Sequence, residues 1–164
     1  MLAFIMRHGA AEENHQKGDS FRELTETGRR TVEEVGKSIG AFLPLDAIFA
    51  SPFVRTRQTA QIIARAYSEE LSVFVEPGLA SGQGAESYQN VIDAAASFSK
   101  VLFVGHMPEV ATVCELMTGD EKMAMLPFSP GSIAVLDLRG GVREVLGFSQ
   151  PCQLGGLMRA IGAM

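Results

Sequence analysis

Three short apolar runs in this chain end in residues that can handle an oxyanion. Leu2–Met6 is followed by Arg7-His8-Gly9, and Val101–Val104 by Gly105-His106. Ala47–Ala50 leads through Ser51-Pro52-Phe53-Val54 to Arg55. A guanidinium matches a phosphate bidentately and keeps its charge at any ordinary pH. Histidine is the basic side chain that offers a neutral nitrogen near pH 7. Arginines beside it lower its pKa further, because a like charge disfavours the imidazolium. A neutral imidazole next to a bound phosphoryl group is a nucleophile. The chemistry implied is phosphoryl transfer to His8, giving a covalent phosphohistidine that water then hydrolyses. Arg7, His8, Arg55 and His106 are the candidate catalytic and phosphoryl-binding residues, with Ser51 as a further substrate-binding candidate.

For this chemistry the four side chains must meet, and the elements between them provide the means. Leu2–Met6, Ala47–Ala50, Leu71–Val75 and Val101–Val104 read as strands buried on both faces, as parallel strands are. Thr25 caps a helix whose Val32, Val35, Ile39 and Phe42 recur at spacings of three and four, with Pro44 beyond its end. Ser51-Pro52 predicts the start of a second helix, with Thr59, Ile62, Ile63, Ala66 and Tyr67 on its apolar stripe. A third helix is expected over Glu86–Phe98. A fourth starts at Pro108 and turns Val110, Val113, Cys114 and Met117 inward. Ser132–Leu138 and Val142–Phe148 flank Arg139-Gly140-Gly141 as a hairpin, which adds an antiparallel edge. Strands alternating with helices give an α/β fold: a three-layer α/β/α sandwich around a mostly parallel sheet. In such sheets ligands bind outside the carboxyl ends of the strands, where His8, His106 and Arg55 all fall. Helix N-termini on that edge add donors and positive dipole ends.

The 164 residues are 46% hydrophobic, enough for one core, and are read as a single domain over 1–164. No apolar run reaches the ~20 residues of a membrane span, and no secretory signal is legible, so a cytoplasmic protein is expected. The net charge of −5 argues against nucleic-acid or membrane-surface partners, which select for Lys/Arg excess. Cys114 and Cys152 are read as free thiols.

In order along the chain, Arg7-His8-Gly9, Leu24-Thr25 with Gly28, Ser51-Pro52 through Arg55 to Gln58-Thr59-Ala60, and Gly105-His106 resemble the motifs of the histidine phosphatase superfamily, whose fold is phosphoglycerate mutase-like. The short length, Gly105-His106-Met107-Pro108 and the tail Pro151-Cys152-Gln153-Leu154 are similar to the SixA-type phosphohistidine phosphatases within it. By that resemblance His8 is the nucleophile, and Arg7, Arg55 and His106 bind the phosphoryl group. Many superfamily members carry an acidic proton donor after the third strand; Ser81 stands at the matching position here, with Glu76 and Glu86 as the nearby acids. Expelling an alkoxide needs such a proton. Expelling an imidazole, of pKa ~6.5, needs far less help. SixA-type members share the lack. The segment Glu76–Lys100 is also too short for a lid, so the pocket is expected to admit a phosphohistidine on a protein surface.

The resemblance implies a metal-independent phosphatase of protein phosphohistidine, with no cofactor and with a phosphohistidine-bearing protein, such as a phosphotransfer domain, as its partner. Two rivals remain: a phosphatase of small phosphomonoesters with the same mechanism, and a phosphoprotein-binding module with little catalysis. His15, in the polar loop Glu12–Ser20, is read as solvated and inert, and Arg29, Arg30 and Arg57 as surface residues. Gly82-Gln83-Gly84 lacks the third glycine of a dinucleotide loop (Ser87 stands there). Cys152 and Arg159 are separated by six residues, one more than the five that intervene in a cysteine phosphatase. No Asp/His cluster has metal-ligand spacing.

Overall fold

A computed structural model describes residues 1–67, 71–140 and 143–163. Six strands form one sheet in the order β3-β2-β4-β1-β5-β6. They are β1 (Leu2–Arg7), β2 (Ala47–Ala50), β3 (Val73–Val75), β4 (Lys100–Gly105), β5 (Ile133–Asp137) and β6 (Glu144–Ser149). β1, β2, β3 and β4 run parallel, while β5 is antiparallel to both β1 and β6. The helices are α1 (Glu26–Gly40), α2 (Val54–Tyr67), α3 (Gly84–Ala94), α4 (Glu109–Thr118) and α5 (Leu154–Gly162).

The period-2 alternation of a strand sorts the core into two halves. Leu2, Phe4 and Met6 of β1 face Val32, Val35 and Ile39 of α1, Ile63 of α2 and Met158 of α5. Ala3 and Ile5 face the other way, into a cluster with Tyr88 and Ile92 of α3 and Val110 and Val113 of α4. Helices therefore cover both faces of the central strands, the three-layer arrangement that the alternating pattern predicts. Burying each such large aliphatic side chain stabilises the fold by about 1.5–3 kcal/mol before entropy is counted.

Thr25 caps α1 as expected, its Oγ1 accepting the Gly28 N–H at 3.0 Å. Three expectations need correction. β3 is an edge strand that pairs only with β2, so Phe74 and Val75 stay 40% and 48% exposed instead of being buried on both faces. α2 begins at Val54, after a bend at Pro52-Phe53; Ser51 Oγ accepts the Phe53 N–H at 3.3 Å and also meets His106. α3 occupies Gly84–Ala94, shifted toward the N-terminus from Glu86–Phe98. Gly141 and Val142 of the expected hairpin lie outside the described residues. α5 was not expected; it buries Leu154, Met158 and Ile161. No helix among the described residues is long and apolar enough to cross a membrane.

Candidate active site

Parallel pairing of β1 with β4 aligns Arg7 with Gly105, so the residues that follow, His8 and His106, emerge side by side. Their rings lie edge to face, with centroids 5.3 Å apart. The His8 N–H donates to the Gly105 carbonyl at 3.1 Å, joining the two strand ends directly. β2 pairs with β4 on its other side, and the chain after it delivers Arg55 in the first turn of α2. Arg7, His8, Arg55 and His106 line one cleft of about 260 Å³, together with Asp19, Arg22, Ser81 and Met107.

The protonation state of His8 follows from its neighbours. Nδ1 is 2.7 Å from the Gly9 carbonyl, which can only accept, so Nδ1 carries the hydrogen. Nε2 accepts the Arg55 Nε–H at 3.1 Å, so it holds a lone pair. The ring is neutral, with its nucleophilic nitrogen beside a guanidinium. Its pKa is pushed down to about 4, by burial first; the bond to Gly9 opposes this, and Arg55, Arg7 and Arg22 add to it. Burial thus outweighs the arginines that the sequence brings to mind.

His106 is held differently. Its Nε2 meets the Ser51 hydroxyl at 2.7 Å and its Nδ1 lies 3.3 Å from Arg55 Nη2. Burial, then His8 and Arg55, push its pKa down to about 3. Phe53 packs edge to face on the ring at 4.8 Å, and Arg55 stacks over Phe53 at 5.0 Å. Arg7 is anchored by an Nη1–H bond to the Phe128 carbonyl at 2.7 Å. Its buried Nε has no hydrogen-bond partner among the described residues.

Close backbone approach makes this packing possible. A Cβ on Gly28 would sit 2.0 Å from the Ala10 carbonyl oxygen, so only glycine lets the start of α1 dock on the loop after His8. That loop is also tied to α2, because Thr59 Oγ1 accepts the Gly9 N–H at 3.1 Å.

Comparisons with known proteins place the chain in a family. The family model of the histidine phosphatase superfamily (branch 1) matches residues 3–86, about half of the chain. The phosphohistidine phosphatase SixA homolog of Haemophilus influenzae is 30% identical over 156 residues, 89% of this chain and 93% of that protein. The chain belongs to the histidine phosphatase superfamily. Its fold overlays the protein histidine phosphatase SixA complexed with tungstate at a TM-score of 0.84, with 25% identity, covering 94% of this chain and 99% of that one. The Agrobacterium tumefaciens structure that carries the SixA name reaches 0.78 with 27% identity, over 92% and 98% of the two chains. A phosphoserine phosphatase from Entamoeba histolytica shares the fold at 0.71 and 18% identity.

Against this superfamily frame, the structure gathers Arg7, His8, Arg55 and His106 and sets other candidates apart. Ser51 is wholly buried, meets the His106 ring and does not line the cleft. Glu76 lines a separate depression with Phe49 and Ser87, and Glu86 another with Leu116. The carboxylate that does line the cleft is Asp19, from the polar loop that also holds His15. It binds Arg55 Nη2 through Oδ2 at 2.9 Å and Arg22 Nη1 through Oδ1 at 2.8 Å. Sequence reasoning missed Asp19 and Arg22. The available signal was an acid and a base three residues apart just before Leu24-Thr25. His15 is half-buried and stacks on Phe21, where it braces the loop.

Proposed function

We propose that this phosphatase hydrolyses protein phosphohistidine through a phosphohistidine on His8, without a metal. The supporting observation is the inventory of the cleft: a neutral His8 whose Nε2 lone pair lies among three guanidiniums, and, among the described residues, a single carboxylate, Asp19, that cannot serve as a proton donor. Hydrogen bonds from Arg22 and then Arg55 hold Asp19 below the usual carboxylate range, so it stays ionised. In the first step the substrate ring carries a proton from solvent on its other nitrogen; His8 Nε2 forms a bond to phosphorus while the N–P bond breaks, and its electron pair stays on the ring, which departs as neutral imidazole. In the second, a water oxygen bonds to phosphorus, the pair of the His8–P bond returns to Nε2, and the water proton leaves on phosphate or to solvent. Arg7, Arg55 and His106 stabilise the equatorial oxygens in both steps. An imidazole departs without a strong acid, whereas an alkoxide does not.

The partner is a protein carrying phosphohistidine. Between β3 and β4 there is room only for α3 and short turns, so the cleft is open enough to receive a side chain standing on another surface. The test is rapid mixing with a phosphohistidine phosphotransfer protein, quenched in base, which preserves a phosphoramidate. Label on His8 during turnover, and rates well above those on an alkyl phosphate, are expected. Turnover without label on His8 refutes the intermediate. Equal or better rates on the alkyl phosphate assign a small phosphomonoester instead, and stable capture of the phosphoprotein without phosphate release assigns a binding module.

A further inference from the structure

Asp19 takes no part in the steps above, yet it sits where the phosphoryl group must go. Its side chain is 55% exposed, and it lines the cleft beside both histidines. The nitrogen it bonds, Arg55 Nη2, also lies 3.3 Å from His106 Nδ1, so Asp19 and the His106 ring share that nitrogen at the cleft. Arg55 does not depend on this carboxylate to stay in place. Its Nη1 donates to the main-chain oxygen of Asp19 at 2.6 Å, its Nε to His8 at 3.1 Å, and its plane rests on Phe53. A main-chain oxygen survives any side-chain substitution.

The charge balance gives the carboxylate a role. With both imidazoles neutral, Arg7, Arg22 and Arg55 against Asp19 leave the cleft at a net charge of +2. A phosphoryl group near pH 7 carries close to −2. Without Asp19 the cleft would hold +3 and an Arg55 donor with no competitor. Tighter holding of phosphate in the ground state does not speed the chemical step, and it slows departure of the product.

We propose that Asp19 is the counter-charge that sets phosphate release: it competes with the phosphoryl group for Arg55 and keeps the cleft at a charge the dianion just cancels. This rests on the reading above in taking inorganic phosphate as the product, but its test needs no turnover. Calorimetric titration with inorganic phosphate and with tungstate, at low and high salt, compares the unaltered protein with Asp19→Asn, Asp19→Ala and Asp19→Glu. The Asn and Ala variants should bind either oxyanion about tenfold tighter at low salt, since one like charge has been removed beside the anion. The gap should narrow at high salt, and Asp19→Glu should stay within about twofold of the unaltered protein. A carboxylate that merely steadied Arg55 would give the opposite sign. Unchanged or weaker binding in Asn and Ala overturns the proposal, as does equal tightening by Glu. Should the Asn chain not fold, by circular dichroism, Asp19→Ser carries the same expectation. Failure of every phosphohistidine substrate would refute the catalytic reading and leave these binding constants untouched.

Discussion

The C-terminal ends of β1 and β4 look alike, each an apolar strand closing on glycine and histidine, yet they hold their imidazoles by different means. At the β1 end, the Gly9 carbonyl can only accept, so His8 is locked in the one tautomer that exposes Nε2. At the β4 end, the partner is the Ser51 hydroxyl, which both donates and accepts. Arg55 Nη2–H faces His106 Nδ1, so Nε2–H donates to Ser51. On the proposed mechanism a phosphoryl oxygen replaces that N–H, and His106 must then donate from Nδ1. Ser51 then either rotates to donate to Nε2 or accepts from an imidazolium. On that proposal a nucleophile is served by a fixed tautomer, and a phosphoryl-binding group by an adaptable one.

The sharpest way to break this contrast is His8→Ala. Removing the nucleophile should lower turnover of phosphohistidine by more than about 10³-fold and abolish base-stable label on the enzyme. His106→Ala, which removes a donor to a developing charge, should cost about 10²-fold or more while leaving single-turnover label on His8 detectable. Arg55→Ala belongs with the second class and should cost about as much, because the guanidinium reaches both rings. If His106→Ala erased the label as His8→Ala does, the division of labour between the strand ends would be wrong.

A smaller effect tests the hydroxyl itself. Ser51→Ala leaves His106 Nε2 buried without a partner, and should lower kcat about tenfold with little change in KM. Ser51→Cys, a weaker donor and acceptor of similar shape, should fall between. Nitrogen chemical shifts of His106 should report a different tautomer balance in the Ala variant, with those of His8 unmoved. A fall in kcat without any such shift would make Ser51 a packing residue only.

How far each end was legible in sequence follows the same division. Arg7-His8-Gly9 and Gly105-His106 announce themselves because they interrupt runs that are otherwise entirely apolar, and the parallel pairing that brings them together follows from strand–helix alternation. Ser51 was read as a cap and a substrate contact, since a serine before proline at a helix start is the same local pattern whichever way its hydroxyl turns. Besides the local Phe53 N–H, its hydroxyl meets a partner 55 residues away, a distance that no local rule spans. Asp19 and Arg22 were lost in a polar loop with no period, where function comes from the fold placing the loop over a strand end. The α5 stripe Leu154, Met158 and Ile161 was present at spacings of four and three, but Gly155-Gly156 at its start weakens any helical reading. β3 misled in another way: an apolar run shows that residues prefer burial, and an edge position decides how many obtain it.

Acid is the gentlest probe of the pair, and it treats both ends alike. The folded protein holds His8 at about 4 and His106 at about 3, below the ordinary value of 6.5. As pH falls from about 6.5 toward 4, the unfolded chain takes up protons that the folded one refuses. Stability therefore falls through that window, by at most ~1.4 kcal/mol per pH unit for each histidine. It rises as pH increases from 4 to 6.5 and is insensitive to these groups above that. Urea unfolding at steps of pH measures the slope. His8→Ala should remove about half of the contribution, and His106→Ala should remove a similar share. A histidine proton titration with either midpoint above 6 would mean that the ring is not buried as a neutral group, and the fixed lone pair on His8 Nε2 would lose its physical basis.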